Sequence, residues 1–350
     1  MFCQQCNIIF SHEYYVINKI AEVTFMCAIA GIINFKKNLF TYEAYNRLLV
    51  RDLTQAFKNS GEWVGEHAAF SQVQQNDGEK EPIKRTVEGH EFVIAYNGEL
   101  YNAAELKQEL MKFGYLFTTD LDNEVILYSY IHYGEECCKK LKGRYSFCIW
   151  DSMRQQIYVC SDKSGTKPFF YAKCDDTVIF ASEIKALFNY PNFTPKLDKN
   201  GLCEIFAFFP FKTAGVCIFK DVEELKPASY MIIKRSGIFK KQYCEIEQNI
   251  CDHIINLKSR IKVLKPIIAE TLDLEAYSKM HTIFHIPPKE YLCSPYSEQT
   301  TQEMLNEILE DNTSPLSVFV DRESALKTPE LMWTLIKIND FFKEYNPIII

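Results

Sequence analysis

Between residues 27 and 182 the sequence alternates short β-forming runs with two amphipathic helical segments, and this alternation constrains the fold more than any other feature. Phe92 to Tyr96 is a continuous apolar run of the kind that forms a buried strand. Four later runs between turn-forming residues predict further strands: Tyr145 to Asp151, Gln156 to Asp162, Pro168 to Lys173 and Thr177 to Ala181. The pattern predicts a sheet-rich α+β unit with antiparallel pairing.

The helices of this unit are indicated by their ends. Asn102-Ala-Ala-Glu105 has the pattern of a capping box, and it opens an amphipathic segment that closes near Gly114. A second helix is expected from about Asn123 to Tyr133. Further along, the sequence predicts a short helix, two strands and three helical segments: Glu183 to Phe188, Val216 to Phe219, Tyr230 to Lys234, Asn249 to Met280 interrupted at Pro266, Gln299 to Glu310 and Leu331 to Tyr345.

Composition excludes several classes of function. The chain has 350 residues, of which 47% are apolar, and this is ample for the core of one large domain or two smaller ones. Its formal net charge is -7, and no cluster of Lys and Arg occurs. Nucleic acid and anionic membranes both need a basic face, so neither is the expected partner. A small-molecule substrate fits this composition better.

The 13 cysteines have no disulfide-framework spacing, and we interpret them as reduced, in a cytoplasmic protein. The longest apolar run, Ile205 to Phe211, is too short to span a bilayer, and the first 25 residues lack the pattern of an export signal. Those residues carry Cys3 and Cys6. A zinc knuckle would need a second ligand pair, and only His12 is near, so a disordered or mistranslated leader is the simpler interpretation.

A cysteine near a possible start and a distant Asn-Gly pair carry most of the functional information. Cys27 follows Met26, and the segment Tyr96-Asn-Gly-Glu-Leu100 lies downstream. A cysteine at the first position of a chain can use its own terminal amine as a general base, because the pKa of that amine is about 8. The pairing therefore predicts a thiol nucleophile together with donors for an oxyanion.

Five motifs, in matching order and spacing, resemble the glutaminase half of glutamine-hydrolysing asparagine synthetases. They are Met26 to Ile32, Tyr96-Asn-Gly-Glu-Leu-Tyr-Asn102, Asp122-Asn-Glu-Val-Ile-Leu127, Asp162 with Gly165 and Lys167-Pro168, and Phe180-Ala-Ser-Glu-Ile-Lys-Ala-Leu187. The resemblance covers residues 26–247 and returns at 284–346. It implies that residues 27–210 form a class II glutamine amidotransferase domain, that 211–248 end the glutaminase half with linker strands, and that 249–350 are a truncated helical remnant of the synthetase domain.

The resemblance also implies a fold and a site. The fold is the four-layer αββα sandwich of N-terminal-nucleophile hydrolases, with residues 1–26 a leader that is absent or removed. Cys27 is then the nucleophile, and Asn97 and Gly98 supply the oxyanion hole. Asp122 pairs with the α-ammonium of the substrate, and Glu99 belongs with Asn97, Gly98 and Asp122 to the substrate-binding set. The glutaminase step needs no cofactor or metal.

Each of these residues also has a purely structural interpretation. Cys27 alone is a typical small buried hydrophobe. The Asn97-Gly98 dipeptide favours a hairpin turn, although Glu99 and the helix from Ala103 argue against one. Asp122 is equally suited to cap the helix that begins at Asn123.

The chain departs from the family pattern in three ways. Cys27 is preceded by 26 residues, so translation must start at Met26 or the leader must be cut away to free the amine. Lys58 to Glu62 and Phe70 to Gln75 stand where the family has an arginine for the glutamine α-carboxylate, and any substitute must come from Arg51, Arg85 or Arg144. Position 28 is also Ala28 where the family has glycine.

The third departure concerns ATP and Mg²⁺, which the family uses to activate aspartate. The phosphate-holding loop contains adjacent glycines, and no Gly-Gly pair occurs anywhere in this chain. We therefore expect the ATP-dependent synthetase step to be lost.

Three hypotheses follow. The chain is a truncated asparagine synthetase that hydrolyses glutamine, an inactive binding or scaffold protein that associates with a complete synthetase subunit, or a decaying gene product without a stable fold. The third arises because Leu331, Leu335, Ile338, Phe342 and Tyr345 lie on one helix face and need a burial surface.

Overall fold

The computed structural model describes residues 27–39, 59–74, 82–191, 193–208, 212–213, 215–244, 284–285, 297–311 and 313–349. The Cys3 and Cys6 pair, Arg51 and the predicted helix Asn249 to Met280 lie outside this described part of the chain. The chain divides into two compact units, residues 1–191 with 227–244, and residues 192–226 with 245–350. The domain boundaries at 210 and 248 stay a prediction.

The strands of the first unit pair antiparallel with one another. In chain order they are β1 (Cys27–Ile33), β2 (Asn59–Val64), β3 (Ala68–Gln74), β4 (Ile83–Val87), β5 (His90–Leu100), β6 (Gly143–Asp151), β7 (Gln156–Ser161), β8 (Phe170–Cys174), β9 (Thr177–Ala181), β13 (Ser229–Lys234) and β14 (Gly237–Gln242). One sheet contains the order β8-β9-β1-β3-β2, and the other has the order β14-β13-β7-β6-β5-β4. The strands predicted between residues 90 and 182 are confirmed, as is the strand predicted from Tyr230 to Lys234.

The two sheets stack face to face, because β1 and β3 contact β5. Aromatic rings fill part of the space between them: Trp150 of β6 lies 6.4 Å, centroid to centroid, from both Phe35 and Trp63. Strands β6, β7 and β9 are almost entirely buried, which explains their continuous apolar sequences. The strands that carry the predicted site residues, β1 and β5, thus border the core between the two sheets.

Helices cover the sheets. Helix α1 (Ala103–Lys112) packs on α2 (Asp122–Tyr133), α2 packs on β5, and α3 (Ile184–Phe188) packs on β8 and β9. A 3-10 helix, Gly134–Lys139, follows α2 directly. The layers agree with the predicted αββα sandwich. The boundaries of α1 and α2 are also close to those predicted.

The prediction of a capping box at Asn102 is wrong, although Asn102 is the N-cap residue of α1. Its side chain makes no cap hydrogen bond. Instead the amide donates to the Lys140 carbonyl at 3.0 Å and accepts from the Lys142 N–H at 2.9 Å. The chain that enters β6 thus competes successfully with the helix end for this amide.

The second unit is mostly helical in its described residues. It contains α4 (Lys199–Phe208), α5 (Glu298–Glu310), α6 (Leu316–Phe319), α7 (Arg322–Leu326) and α8 (Pro329–Tyr345), with short strands β10 (Lys196–Leu197), β11 (Lys212–Thr213), β12 (Val222–Glu224), β15 (Phe284–His285) and β16 (Ile348–Ile349). The helices predicted at the end of the chain are confirmed. No helix in the described ranges is long and apolar enough to cross a bilayer.

The strand predicted from Val216 to Phe219 is wrong. These residues form no strand, and the backbone of Ile218 lies so close to Gly201 of α4 that a Cβ on Gly201 would collide with the Ile218 carbonyl. Phe219 is buried against Phe341 and Tyr345 of α8, with ring centroids 5.9 and 5.5 Å apart. Packing on helices has replaced strand pairing in this segment.

The apolar face of α8 is covered within the second unit. Leu331, Leu335, Ile338 and Phe342 are all buried, and α8 packs on α5 and on α7. The face identified in the sequence therefore has its own burial surface in this chain. This packing argues against the hypothesis of a product without a stable fold.

Candidate active site

Strand β1 holds Cys27 at its first residue, between β3 and β9 in the sheet. Cys27 is paired in register with Gln74 of β3. Two residues later, Ile29 is held from the other side: its N–H donates to Ser182 Oγ at 3.1 Å, and its carbonyl accepts from the Ser182 N–H at 2.8 Å. Ser182 belongs to the Phe180 to Leu187 motif, so this motif fixes the backbone that carries the predicted nucleophile.

The Asn97-Gly98 pair lies inside β5 and is not a hairpin turn. Asn97 pairs with Ser146, and Gly98 pairs with Tyr145 on the neighbouring strand β6. Gly98 has φ of 150°, and a Cβ there would collide with the Arg144 carbonyl and lie 2.6 Å from Tyr145 Cα. Only glycine allows the two strands to approach this closely.

The side chain of Asn97 makes no hydrogen bond within the part of the chain that the structure describes. It is 6% exposed, and its Oδ1 is buried without a partner. Its Nδ2 donates no hydrogen bond to a described residue. Buried polar atoms are nearly always paired in folded proteins, so an unpaired amide next to a strained glycine indicates a place where a ligand or a small rearrangement completes the bonding.

Asp122, the first residue of α2, is bonded to both ends of the Asn97-Gly98 segment. Its Oδ2 accepts from the Leu100 N–H at 2.7 Å and from the Tyr96 hydroxyl at 3.3 Å. The helix N-cap is Leu121, so the capping interpretation of Asp122 is wrong. Burial raises the pKa of Asp122 against the effect of these two bonds, and Glu99 raises it slightly more. No described Lys or Arg forms a salt bridge with it.

The arginines proposed as substitutes differ in their surroundings. Arg85 of β4 is engaged, with its Nε 2.7 Å from Glu124 Oε1 and its terminal nitrogens on the Lys84 carbonyl and Thr118 Oγ1. Arg144 is exposed on β6, where it pairs in register with Glu99. Glu99 is itself exposed. Of the two described arginines in question, only Arg144 is available to a ligand.

Gln72 of β3 is a site residue that the sequence did not single out. It is fully buried, and its Oε1 accepts from the Tyr96 N–H at 3.0 Å. Its Nε2 is buried without a partner. A signal was present in the sequence, because Ser71 and Gln72 interrupt an otherwise apolar strand between Phe70 and Val73.

Asp162, part of another motif, has a structural task. It is buried, and it accepts from the backbone N–H groups of Tyr145, Ser164 and Thr166 at 2.7 to 3.1 Å. Burial raises its pKa, in opposition to these hydrogen bonds. The carboxylate thus ties the turn after β7 to β6 next to Gly98.

Three polar groups of the candidate site lie on or next to the last residues of β5. They are an unpaired amide at Asn97, a carboxylate without a cation at Asp122 and an exposed guanidinium at Arg144. Within the described ranges no group of three or more His, Cys, Asp or Glu could hold a metal ion. These are recognition elements for a molecule that carries an amide and an ammonium group.

Comparison with known proteins agrees with this chemistry. A family model described as a glutamine amidotransferase domain matches residues 26–244. The chain is 34% identical over 244 residues to asparagine synthetase (glutamine-hydrolyzing) 3 of Bacillus subtilis (strain 168), a match that covers 67% of this chain and 40% of the relative. It is 32% identical over 219 residues to asparagine synthetase (glutamine-hydrolyzing) 1 of the same organism, which covers 61% of this chain and 34% of the relative.

The chain thus spans well under half the length of these two relatives. Among solved structures, the glutamine phosphoribosylpyrophosphate amidotransferase from B. subtilis, complexed with ADP and GMP, matches with a TM-score of 0.49 and 14% identity, over 93% of this chain and 65% of that one. A likeness at this TM-score is too weak to support conclusions. The family model, however, covers well over half of the chain, and the chain therefore belongs to the glutamine amidotransferase domain family, as a class II member of asparagine synthetase type.

Proposed function

We propose that this protein releases ammonia from glutamine, with Cys27 as the nucleophile once residues 1–26 are absent. The observation that carries the proposal is the double attachment of Asp122 to Tyr96 and Leu100. It fixes an uncompensated carboxylate beside Asn97 and Gly98. When glutamine binds with its α-ammonium group at Asp122, the ligand supplies the positive charge that neutralises this carboxylate.

The chemistry divides into two steps. The Cys27 sulfur attacks the side-chain amide carbon of glutamine while the terminal amine of Cys27 takes the thiol proton. The Asn97 amide and the Gly98 N–H stabilise the charge on the tetrahedral oxygen, and losing one such donor typically costs about 10² to 10³ in kcat. The C–N bond then breaks, the amine returns the proton to the leaving ammonia, and water hydrolyses the thioester to glutamate and free thiol.

Arg144 is our candidate for the glutamine α-carboxylate. Residues directly opposite on antiparallel strands share a face, so Arg144 and Ser146 lie on the same face as Glu99 and Asn97. Arginine binds carboxylate bidentately, and Arg144 is exposed and makes no salt bridge within the described residues. Arg85 is a poorer candidate because its guanidinium is already committed to Glu124.

The test is ammonia release from L-glutamine by protein that begins at Cys27, produced by cleavage of a removable N-terminal extension. Two controls are needed: Cys27→Ala with the same start, and the uncleaved protein, whose Cys27 carries an amide in place of the amine. We expect turnover only when the thiol and the free amine are both present. A rate in cleaved protein no higher than that of Cys27→Ala would refute the proposal.

A second candidate is an inactive protein that associates with a complete synthetase subunit. The observation in its favour is the absence of arginine from residues 59–74, where the family has its carboxylate ligand. It is tested by the same assay together with co-purification. Binding to a full-length synthetase without glutamine turnover would support this candidate over the first.

We do not propose an ATP-dependent step for this chain. The adjacent glycines of the family's phosphate loop are missing from the sequence, so the residues present do not fit ATP pyrophosphate. For the glutaminase step we propose no cofactor or metal, because the thiol, amine and amide groups named above supply every proton transfer and charge interaction.

A further inference from the structure

Two buried amide atoms of opposite hydrogen-bonding type, one on Gln72 of β3 and one on Asn97 of β5, have no partner among the described residues. Gln72 Nε2 is a donor, Asn97 Oδ1 is an acceptor, and neither has a partner. The two residues are brought together by the 3.0 Å bond from the Tyr96 N–H to Gln72 Oε1, because Tyr96 directly precedes Asn97.

The position of Gln72 explains why its amide reaches β5. Strand β4 pairs with β5 only as far as Ile94, opposite Ile83. The Tyr96 N–H lies beyond that end, and Gln72 of the facing sheet supplies its acceptor. Gln72 pairs with Ile29 in β1, two residues from Cys27. One side chain therefore connects the strand of the predicted nucleophile with the strand of the predicted oxyanion donors.

Leaving both atoms unpaired would be costly. A buried donor or acceptor without a partner loses its hydrogen bonds to water and gains none in return, and a single hydrogen bond between the two amides removes both penalties. In that bond Gln72 Nε2 donates to Asn97 Oδ1. With the Asn97 oxygen held by Gln72, the orientation of the amide is fixed, and its Nδ2 stays available to donate to the oxyanion.

We propose that Gln72 is a positioning residue for the amidotransferase reaction: it binds the Tyr96 N–H and Asn97 Oδ1 together and thereby aims Asn97 Nδ2 at the oxyanion. This inference rests on the proposed function, since it assigns Asn97 the role of oxyanion donor. In this role Gln72 acts on the reaction only by way of Asn97. Its contribution is transmitted through Asn97, so it disappears when Asn97 is removed.

The experiment is a double-mutant cycle with Gln72→Met, Asn97→Ala and the double variant, in protein that begins at Cys27. Met keeps the length of the side chain and removes the amide. Misplacement of a catalytic group by about 1 Å can cost about 10² in rate, so we expect Gln72→Met to lower kcat for glutamine by up to about 10² with little change in KM. In the Asn97→Ala background the same substitution is expected to change kcat less than about twofold.

Ser71→Ala is the matched control. Ser71 is the neighbouring residue on β3, it is fully buried, and its hydroxyl is likewise unpaired. Because adjacent residues of a strand point to opposite faces, its removal should leave kcat unchanged. An equal loss of kcat from Gln72→Met in both backgrounds, or from Ser71→Ala, would overturn the proposal.

Urea unfolding of the same four proteins separates this inference from the proposed function. If wild-type protein releases no ammonia, the proposed function fails, and the unfolding cycle alone decides whether Gln72 binds Asn97. Non-additive losses support the contact, and additive losses overturn it. If Gln72→Met does not fold, the side-chain amide NMR signals of Gln72 replace it. They must shift on Asn97→Ala, and unchanged signals would count against the contact.

Discussion

Two carboxylates in the first turn of α2, only two residues apart, differ in how many partners the protein gives them and in the direction of their pKa shifts. Glu124 is fully buried and accepts hydrogen bonds from Arg85 Nε at 2.7 Å and from the backbone N–H and hydroxyl groups of Thr118 and Thr119. Asp122 is partly buried and has two donors, the Leu100 N–H and the Tyr96 hydroxyl.

The pKa values shift in opposite directions for this reason. Burial raises the pKa of Glu124, but the bonds from Arg85 and Thr119 outweigh it and hold the pKa below its usual value. At Asp122 burial prevails over the two bonds, and the pKa is raised. A carboxylate whose hydrogen-bond donors and cation all come from the protein has a structural role. One that lacks a cation is prepared to receive a cation from a ligand.

The largest expected effect comes from removing the Glu124 carboxylate. Glu124→Ala removes the carboxylate partner of Arg85 and the shared acceptor of the threonine donors, and breaking a buried ion pair on one side typically costs about 3 to 5 kcal/mol. Urea unfolding should show this loss. Asp122→Ala is the matched control and should lose much less, so equal losses in the two variants would erase the contrast between the carboxylates.

The second effect concerns binding. Asp122→Asn keeps an acceptor for Leu100 but removes the charge that pairs with the α-ammonium of glutamine. Truncating one partner of a buried charge pair costs about 2 to 5 kcal/mol, so we expect KM for glutamine to rise about 30-fold or more.

The melting temperature of Asp122→Asn is expected to rise, since the raised pKa means that folding disfavours the ionised form. Thermal unfolding and steady-state ammonia release measure the two quantities on one preparation. An unchanged KM would remove Asp122 from the substrate-binding set.

The smallest effect is the pH dependence of stability, which should have opposite signs at the two positions. Ionised Glu124 stabilises the folded state, and this stabilisation is fully present above the pKa that Glu124 has in the unfolded chain, near 4.5. It is lost as the pH falls through the lower pKa that Glu124 has in the folded protein. Ionised Asp122 instead destabilises the folded state at neutral pH. That cost disappears as pH falls through its raised folded pKa toward the unfolded value, near 3.8.

Urea unfolding of wild type, Glu124→Gln and Asp122→Asn from pH 7 to well below pH 4 measures this difference. At pH 7 wild type should be more stable than Glu124→Gln and less stable than Asp122→Asn, and both differences should shrink on acidification. The same sign for both differences at pH 7 would contradict the assignment.

Periodicity and turn residues predicted most elements of the first unit because those elements are long and largely buried. The same reasoning placed a strand at Val216 to Phe219, where the apolar residues are buried by helices instead. Local sequence does not say what will cover an apolar run. The long helix α8, with a clear period of its own, was predicted to within two residues at each end.

Side-chain partners were harder to predict than elements. Asn and Asp are both common helix-capping residues. Asn102 and Asp122 instead form hydrogen bonds with backbone groups outside the helices that they precede or begin. Gln72 has a task only because β4 ends before Tyr96, and the sequence does not reveal where a neighbouring strand stops. Motif resemblance indicated the candidate site residues, and the contacts show how those residues are held.

The return of residues 227–244 to the first unit has a practical consequence for anyone who wishes to express it alone. Strand β13 pairs with β7 along five residues, and the Tyr243 hydroxyl donates to the Ser161 carbonyl at 2.9 Å. A fragment that stops at residue 191 would leave β7 as a bare edge strand of apolar sequence, which invites aggregation. Fragments that extend to residue 244, by contrast, keep the whole sheet and should remain in solution.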